Sequence, residues 1–190
     1  MGAIAAFART ICNHHGILRP MALDETTVAL PQFAVSIHQH DDVAAACLTL
    51  QDVCGADVNL VLCAAYLGAV HAMVPDDTQI GALRSAVTDW HRDVVQPLRL
   101  IRRRLKTGPA PAPSESTARL RAHLQRDEIE AEMIELTTLQ ELVDTWPTAP
   151  TSGTADVARA AVLRILPLDA EETEDIRDAV SIIARATVQP

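Results

Sequence analysis

The chain has 190 residues, of which 48% are hydrophobic and only 3% aromatic, and its formal net charge is −9. This length suggests one domain, or one domain with an appendage, and a core built mainly from aliphatic side chains. The negative charge argues against general nucleic-acid binding, and no apolar stretch reaches the 18 or so residues that a transmembrane helix needs.

The first 20 residues form a weak pattern. They carry only Arg9 and Arg19 as basic residues, and their apolar run is interrupted, so they make a poor signal peptide. A polar stretch follows Met21. We therefore expect either that Met21 is the natural start or that residues 1–20 are a loose extension.

Two short helices are predicted next, over residues 30–39 and 43–53. Asp41 and Asp42 offer an N-cap for the second helix, whose apolar residues recur every three or four positions. Gly55 breaks this pattern and is expected to end the helix.

The third helix, Val58 to Val70, is apolar or small at every position except Asn59. A helix that is apolar on all sides is buried on all sides, and about 13 residues are too few to cross a bilayer. We expect Asp57 to cap this helix. The side-chain amide of Asn59 should then have a buried hydrogen-bond partner.

The fourth helix has the clearest pattern in the sequence. Apolar residues step by three or four for about seven turns, which indicates the seam of an antiparallel bundle or coiled coil. The seam consists of Ile80, Leu83, Val87, Trp90, Val94, Leu98, Ile101 and Leu105. Pro97 lies within it and is expected to bend the helix.

A Pro/Ala-rich linker over residues 108–116 precedes a fifth helix over 117–145. Two shorter helical patterns follow, over 154–166 and 170–186, and Asp169 with Glu172 resembles a capping box for the second. The predicted fold is all-α: a helical bundle around a buried central helix, with antiparallel long helices and extra C-terminal helices. The predicted units are a loosely ordered N-terminal extension (1–29), a helical bundle domain (30–146) and a C-terminal helical tail (147–190).

Charge is unevenly distributed. Residues 94–126 hold eight basic residues and one acidic residue, whereas residues 127–190 hold four basic and fourteen acidic residues. The basic segment either pairs with acidic neighbours in the fold or forms an exposed patch for an anionic partner. The candidate patch residues are Arg99, Arg103, Arg104 and Lys106. The four cysteines form no CxxC pair, which favours free thiols and a cytoplasmic location.

Three segments carry a resemblance to a known family. They are ACLTLQDVCGADVNLVL (46–62), WHRDVVQPLRLIRRRLK (90–106) and EIEAE (128–132). In this order they resemble a family of small, uncharacterised, mainly proteobacterial proteins with a CLxLQDxxGxDVNxLL core. The match spans residues 33–143. Pro31, His38 and Tyr66 stand where the family usually has Trp, Tyr and Trp. The resemblance implies a helical fold and no particular chemistry.

A few polar residues occupy positions where polar groups are costly. His91 and Arg102 lie on the seam side of the fourth helix, and Glu132 flanks the apolar stripe of the fifth. One interpretation is structural: His91 or Arg102 meets Glu132 and fixes the helix register. The other is a small polar pocket at the centre of the bundle, faced also by Asn59. The ligand or pocket candidates are Gln51, Asp57, Asn59, His91, Arg102, Glu128 and Glu132.

Catalytic motifs are missing from the sequence. Glu128 and Glu132 share a helix face, but the Glu-x-x-His spacing of bundle di-iron sites does not occur. There is also no P-loop, GxGxxG, GxSxG or HExxH. We therefore expect no metal and no cofactor, and we assign no catalytic residue.

Two functions follow from these patterns. The favoured prediction is a non-catalytic cytoplasmic interaction module that binds another protein through the basic face of the fourth helix or through the tail. The alternative is a small-ligand-binding protein or enzyme with a polar pocket in the bundle core. The sequence does not decide whether the protein is an enzyme, and it leaves oligomerisation open. Nucleic-acid binding is not expected, because the basic segment has no interleaved aromatic residues.

Overall fold

The structure, a computed structural model, describes residues 28–147, 151–167 and 173–188. These residues form helices, turns and loops without any strand, which confirms the all-α prediction. The helices are α1 (Leu30–His38), α2 (Asp41–Cys54), α3 (Val58–Val70), α4 (Asp77–Trp90), α5 (Gln96–Arg104), α6 (Glu115–Val143), α7 (Ala155–Ile165) and α8 (Glu174–Ala186), and a π-helical turn (His91–Val95) joins α4 to α5. The predicted N-terminal extension lies outside the described residues, apart from Val28 and Ala29.

The turn between α2 and α3 contains the helix-ending glycine and the helix-capping aspartate that the sequence predicts. Gly55 adopts φ +66° at the end of α2, a left-handed conformation that glycine takes without steric cost. Asp57 caps α3 by accepting a hydrogen bond from the backbone N–H of Asn59. The predicted N-cap of α2 is wrong, because α2 begins at Asp41 itself and no side chain caps it. Asp41 and Asp42 instead lie in the first turn, where their charges suit the helix dipole.

Helix α3 is buried continuously from Asn59 to Gly68 and packs against α1, α2, α6 and α7. The contact with α7 is a close approach of two backbones. A Cβ atom on Gly68 would lie only 2.4 Å from the Cα of Ala158, so the two backbones nearly touch. The absence of a side chain at Gly68 is what permits this crossing.

The two C-terminal helices pack on the bundle. Helix α7 lies against α3, α8 lies against α2, and both contribute side chains to the same hydrophobic core. The described part of α8 begins at Glu174, where Thr173 accepts a hydrogen bond from the N–H of Ile176. The capping box predicted from Asp169 and Glu172 lies outside the described residues.

Helices α4 and α5 run antiparallel to α6. Trp90 near the end of α4 donates its indole N–H to the carbonyl of Ala131 at 3.1 Å, and Arg102 near the end of α5 bonds Glu128 earlier in α6. The contacts thus pair later residues of α4 and α5 with earlier residues of α6, as antiparallel helices do. Because α6 follows α5 in the chain, the linker reverses the chain direction.

The π-helical turn changes which side chains face α6. The apolar seam holds through Ile80, Leu83 and Val87, which are buried, but fails beyond them. Val95 is fully buried, while the predicted seam residue Ile101 is 49% exposed. The π-helical turn inserts one extra residue into the helix just before Pro97. In a regular α-helix, the ring of Pro97 would clash with the carbonyl four residues earlier.

Candidate functional site

Two arginines of α5 face two glutamates of α6 across the antiparallel pair. Arg99 donates through Nε to Glu128 Oε1 at 2.9 Å and through Nη2 to Glu132. Arg102 donates to both oxygens of Glu128, with Nη2 at 3.0 Å from Oε1. The glutamate side chains are only 3% and 10% exposed, so these are buried ion pairs with bidentate geometry.

A second cluster lies beside this network, where α3, the π-helical turn and α6 meet. His91 Nδ1 is 3.2 Å from Asp57 Oδ2 and 3.2 Å from Glu135 Oε1. The Asn59 side-chain amide donates to Glu135 Oε2 at 2.6 Å and weakly to the backbone carbonyl of Glu132 at 3.4 Å. Asn59 therefore has the buried partner that its position requires.

Each carboxylate of this second cluster is held by one oxygen and presents the other. Asp57 Oδ1 accepts the N–H of Asn59 at 2.9 Å as the α3 cap, which leaves Oδ2 beside His91. Glu135 Oε2 accepts the Asn59 amide, which leaves Oε1 beside His91. Asn59 thus orients both acids. The other two oxygens, Asp57 Oδ2 and Glu135 Oε1, both face the imidazole Nδ1, and these three atoms lie within 4.8 Å of one another.

The environment shifts the pKa values of the second cluster. Burial and the charge of Glu135 together raise the pKa of Asp57 to about 7, against the opposing effect of His91. Burial alone would lower the pKa of His91, but its hydrogen bond with Glu135 and the charge of Asp57 raise it overall. The ionisation of Asp57 therefore depends on that of His91, and the reverse.

The pKa values of the two glutamates that pair with arginines shift in opposite directions. Burial would raise the pKa of Glu128, but hydrogen bonds from Arg102 and Arg99 lower it below its usual value. The pKa of Glu132 is raised, since burial outweighs the favourable charge of Arg99. Glu128 is therefore a firmly ionised partner of the two arginines.

A pocket of about 100 Å³ opens next to both clusters. All seven candidates named from the sequence line it: Gln51, Asp57, Asn59, His91, Arg102, Glu128 and Glu132. The structure thus brings them together. Their role in ligand binding stays a prediction.

The structure also adds residues that the sequence did not single out. His38, only 8% exposed, lines the pocket, and its Nδ1 has no hydrogen-bond partner among the described residues. Glu135 is fully buried behind the pocket. Glu135 lies three and seven residues after Glu132 and Glu128, on the same helix face, and this spacing was the signal available for it.

Two sequence interpretations need correction. The expected partner of His91 or Arg102 was Glu132, but His91 meets Asp57 and Glu135, and Arg102 meets Glu128. The candidate basic patch loses Arg99, whose side chain is 15% exposed and paired with the glutamates. Arg103 is 53% exposed and lies 3.9 Å from Asp52. Arg99 is buried because the π-helical turn rotates its side chain towards α6.

The fold and the site define a small all-α protein with a buried acid–base cluster and a narrow pocket. Residues 29–139 match the family described as "Protein of unknown function (DUF2390)", and the chain belongs to that family. No curated protein and no solved structure is significantly similar to the chain. Within the described residues, no helix has both the length and the apolar character needed to cross a membrane.

Proposed function

We propose that this protein binds a small cationic ligand in the pocket beside Asn59. One observation carries the proposal: two shielded carboxylates, Asp57 and Glu135, converge beside the pocket on a single imidazole, that of His91. The other two acids, Glu128 and Glu132, are already paired with Arg99 and Arg102, and Arg103 and His38 also line the pocket. When both carboxyl groups are ionised, these three residues carry excess negative charge whether His91 is protonated or neutral.

The excess charge is localised in one part of the site. Arg99 and Arg102 are satisfied by Glu128 and Glu132, so Asp57 and Glu135 have only His91 as a basic neighbour. An uncompensated charge in a buried site costs several kcal/mol, by order of magnitude. A cation bound beside the two carboxylates would remove that cost.

The size of the pocket limits the ligand. Its volume of about 100 Å³ is well below the roughly 300–1,000 Å³ of pockets for drug-sized molecules. A water molecule occupies about 30 Å³. The pocket therefore suits a hydrated ion or an amine of a few non-hydrogen atoms.

The family-like turn supplies much of the pocket wall. Gln51, Asp57 and Asn59 all come from the LQDxxGxDVN segment, and all three line the pocket. We infer that this motif is the binding element of the mainly proteobacterial family that the sequence resembles. The free thiols of Cys47, Cys54 and Cys63 support a cytoplasmic location for this activity.

The test is thermal denaturation of the full chain with single cations: Mg²⁺, Mn²⁺, Zn²⁺, methylamine and ethylamine. A ligand at about 100 times its Kd stabilises the folded state by about 2.7 kcal/mol, which corresponds to a rise in Tm of roughly 5–10 °C for a chain of this size. Ala44→Leu narrows the pocket that Ala44 lines, and should remove the shift.

The matched control is Ala45→Leu at the adjacent, exposed position of α2, which does not line this pocket and should keep the shift. The proposal fails if none of the five cations raises the Tm, or if Ala44→Leu retains the full shift.

A second candidate function keeps the interaction module. The outer face of α5 exposes Leu100 (69%) and Ile101 (49%) beside Arg104, an unpaired mixture of apolar and basic side chains. Such a face suits a protein partner with acidic residues around an apolar groove. Affinity capture at low salt with wild-type chain and with Arg104→Glu tests it. Capture that survives the charge reversal would contradict it.

A further inference from the structure

The geometry points to a divalent transition-metal ion, held by Asp57, His91 and Glu135, as the cation of this site; the inference rests on the proposed function and names its ligand. The candidate ligand atoms are Asp57 Oδ2, His91 Nδ1 and Glu135 Oε1. All three lie within 4.8 Å of one another.

The distances match a shared ion. Two ligand atoms at about 2.1 Å from one metal are about 3.0 Å apart at octahedral angles and about 3.4 Å apart at tetrahedral angles. His91 Nδ1 lies 3.2 Å from each carboxylate oxygen, between these two values. These two pairs therefore already have the spacing of ligands on one ion.

The hydrogen bonds from Asn59 engage one oxygen of each carboxylate and leave the other facing His91. Asp57 Oδ1 and Glu135 Oε2 are both committed to Asn59, through its backbone N–H and its side-chain amide. Asn59 thus acts on the ligands as an orienting residue outside the coordination shell. A single N–H of His91 cannot donate well to two carboxylates at once, whereas a metal ion in place of the proton serves all three groups.

A second observation lies outside this triad. His38 is only 8% exposed and lines the same pocket. Its Nδ1 atom has no hydrogen-bond partner among the described residues. Burial lowers the pKa of His38, so its imidazole is neutral at pH 7, the form that binds metals. An ion with its water in the pocket gives that nitrogen a partner.

The donor set selects the class of ion. One imidazole nitrogen and two carboxylate oxygens suit Zn²⁺ or Mn²⁺. Ca²⁺ takes six to eight oxygen ligands and Mg²⁺ keeps most of its water, so both fit less well. With three protein ligands, the ion keeps a position open towards the pocket.

The experiment is calorimetric titration of the full chain with MnCl₂ and with ZnCl₂, compared with Asp57→Asn and Glu135→Gln. We expect one ion per wild-type chain, and a loss of affinity in both variants beyond the roughly 10- to 100-fold that residues outside the coordination shell contribute. Glu141→Gln, an exposed change on the same helix, is the control and should bind as the wild type does.

The outcomes separate the two proposals. If methylamine or ethylamine stabilises the chain but neither metal binds, the metal assignment is overturned and the cation-binding function stands. If a metal binds wild type and both variants equally, it lies elsewhere and the assignment is overturned. Asp57→Asn keeps the α3 cap, since Asn caps as well as Asp, so it decides the matter even if Glu135→Gln does not fold.

Discussion

Two helix contacts in this protein are built on opposite principles. Where α3 crosses α7, a glycine brings two backbones together without polar side chains, at Gly68 and Ala158. Where α5 meets α6, long charged side chains fill the space, with Arg99 and Arg102 against Glu128. The first contact depends on volume, and the second depends on charge.

The difference shows where function has room to act. Close-packed apolar contacts tolerate neither added nor removed atoms, so they fix the scaffold. A buried ion-pair network is a weak source of net stability, yet breaking it is costly. Net stability alone therefore does not account for the charge at the α5–α6 contact, and the proposed binding site at Asp57, His91 and Glu135 offers an explanation for it.

The largest effect is expected from Glu128→Gln, which breaks the charged contact. The change removes the charge that faces both Arg99 and Arg102 while keeping the side-chain shape. We expect the free energy of unfolding to fall by about 3 kcal/mol, the lower end of the range for breaking a buried pair. Urea denaturation at pH 7 measures it. Glu115→Gln, in the exposed pair with Arg119, should cost less than about 0.5 kcal/mol.

The same variant has a pH signature. The pKa of Glu128 is lowered in the folded state, so its stabilising contribution is complete above the unfolded pKa of about 4.3 and is lost as the pH falls through the folded value. The stability difference between wild type and Glu128→Gln should therefore narrow in urea series run at pH 7, 5 and 3. A difference that stays constant would contradict a stabilising role for the charge of Glu128.

A smaller effect is expected from Gly68→Ala, which disturbs the steric contact. The new Cβ would lie 2.4 Å from the Cα and 2.7 Å from the backbone nitrogen of Ala158, so α7 must move. Overpacking of this kind costs about 1–3 kcal/mol. Gly81→Ala is the matched control, because a Cβ there meets nothing within 4 Å, and the better helix propensity of Ala should stabilise by up to about 1 kcal/mol. Equal effects of the two changes in thermal denaturation would contradict the steric explanation.

The two contacts also differed in how far the sequence predicted them. Apolar periodicity predicts the seam of α4 as far as Val87, since a buried helix face leaves a regular trace. Beyond that point Val94 and Ile101 were expected inside, but the π-helical turn rotates Val95 and Arg99 there instead. Pro97 was visible in the sequence, but the apolar residues around it continue in steps of three or four, so this pattern does not reveal the added residue.

Some residues of the candidate site could be predicted from the sequence, and others could not. The residues that interrupt apolar surfaces, such as Asn59 and His91, were found from the sequence because a polar group among apolar ones stands out. Glu135 was missed, since an acid on a helix with many acids looks like a solvated one until its partner is known. Partners lie 76 residues away along the chain for Asn59 and Glu135, and a pairing at that distance depends on the tertiary fold.

The smallest effect separates the two roles of Asp57, as a helix cap and as a member of the charged cluster. Asp57→Ala removes the side chain that accepts the N–H of Asn59 and should destabilise the protein by about 1 kcal/mol. Asp57→Asn keeps a capping oxygen and removes only the charge. Since Glu135 and His91 lie beside that charge, the Asn variant should be as stable as wild type or slightly more stable, because a repulsion between two carboxylates disappears. Thermal denaturation of the two variants in one buffer measures the difference. If the Asn variant were as unstable as the Ala variant, the charge of Asp57 would stabilise the scaffold itself, and the contrast between a steric contact that holds the fold and a charged contact available for binding would not hold at this residue.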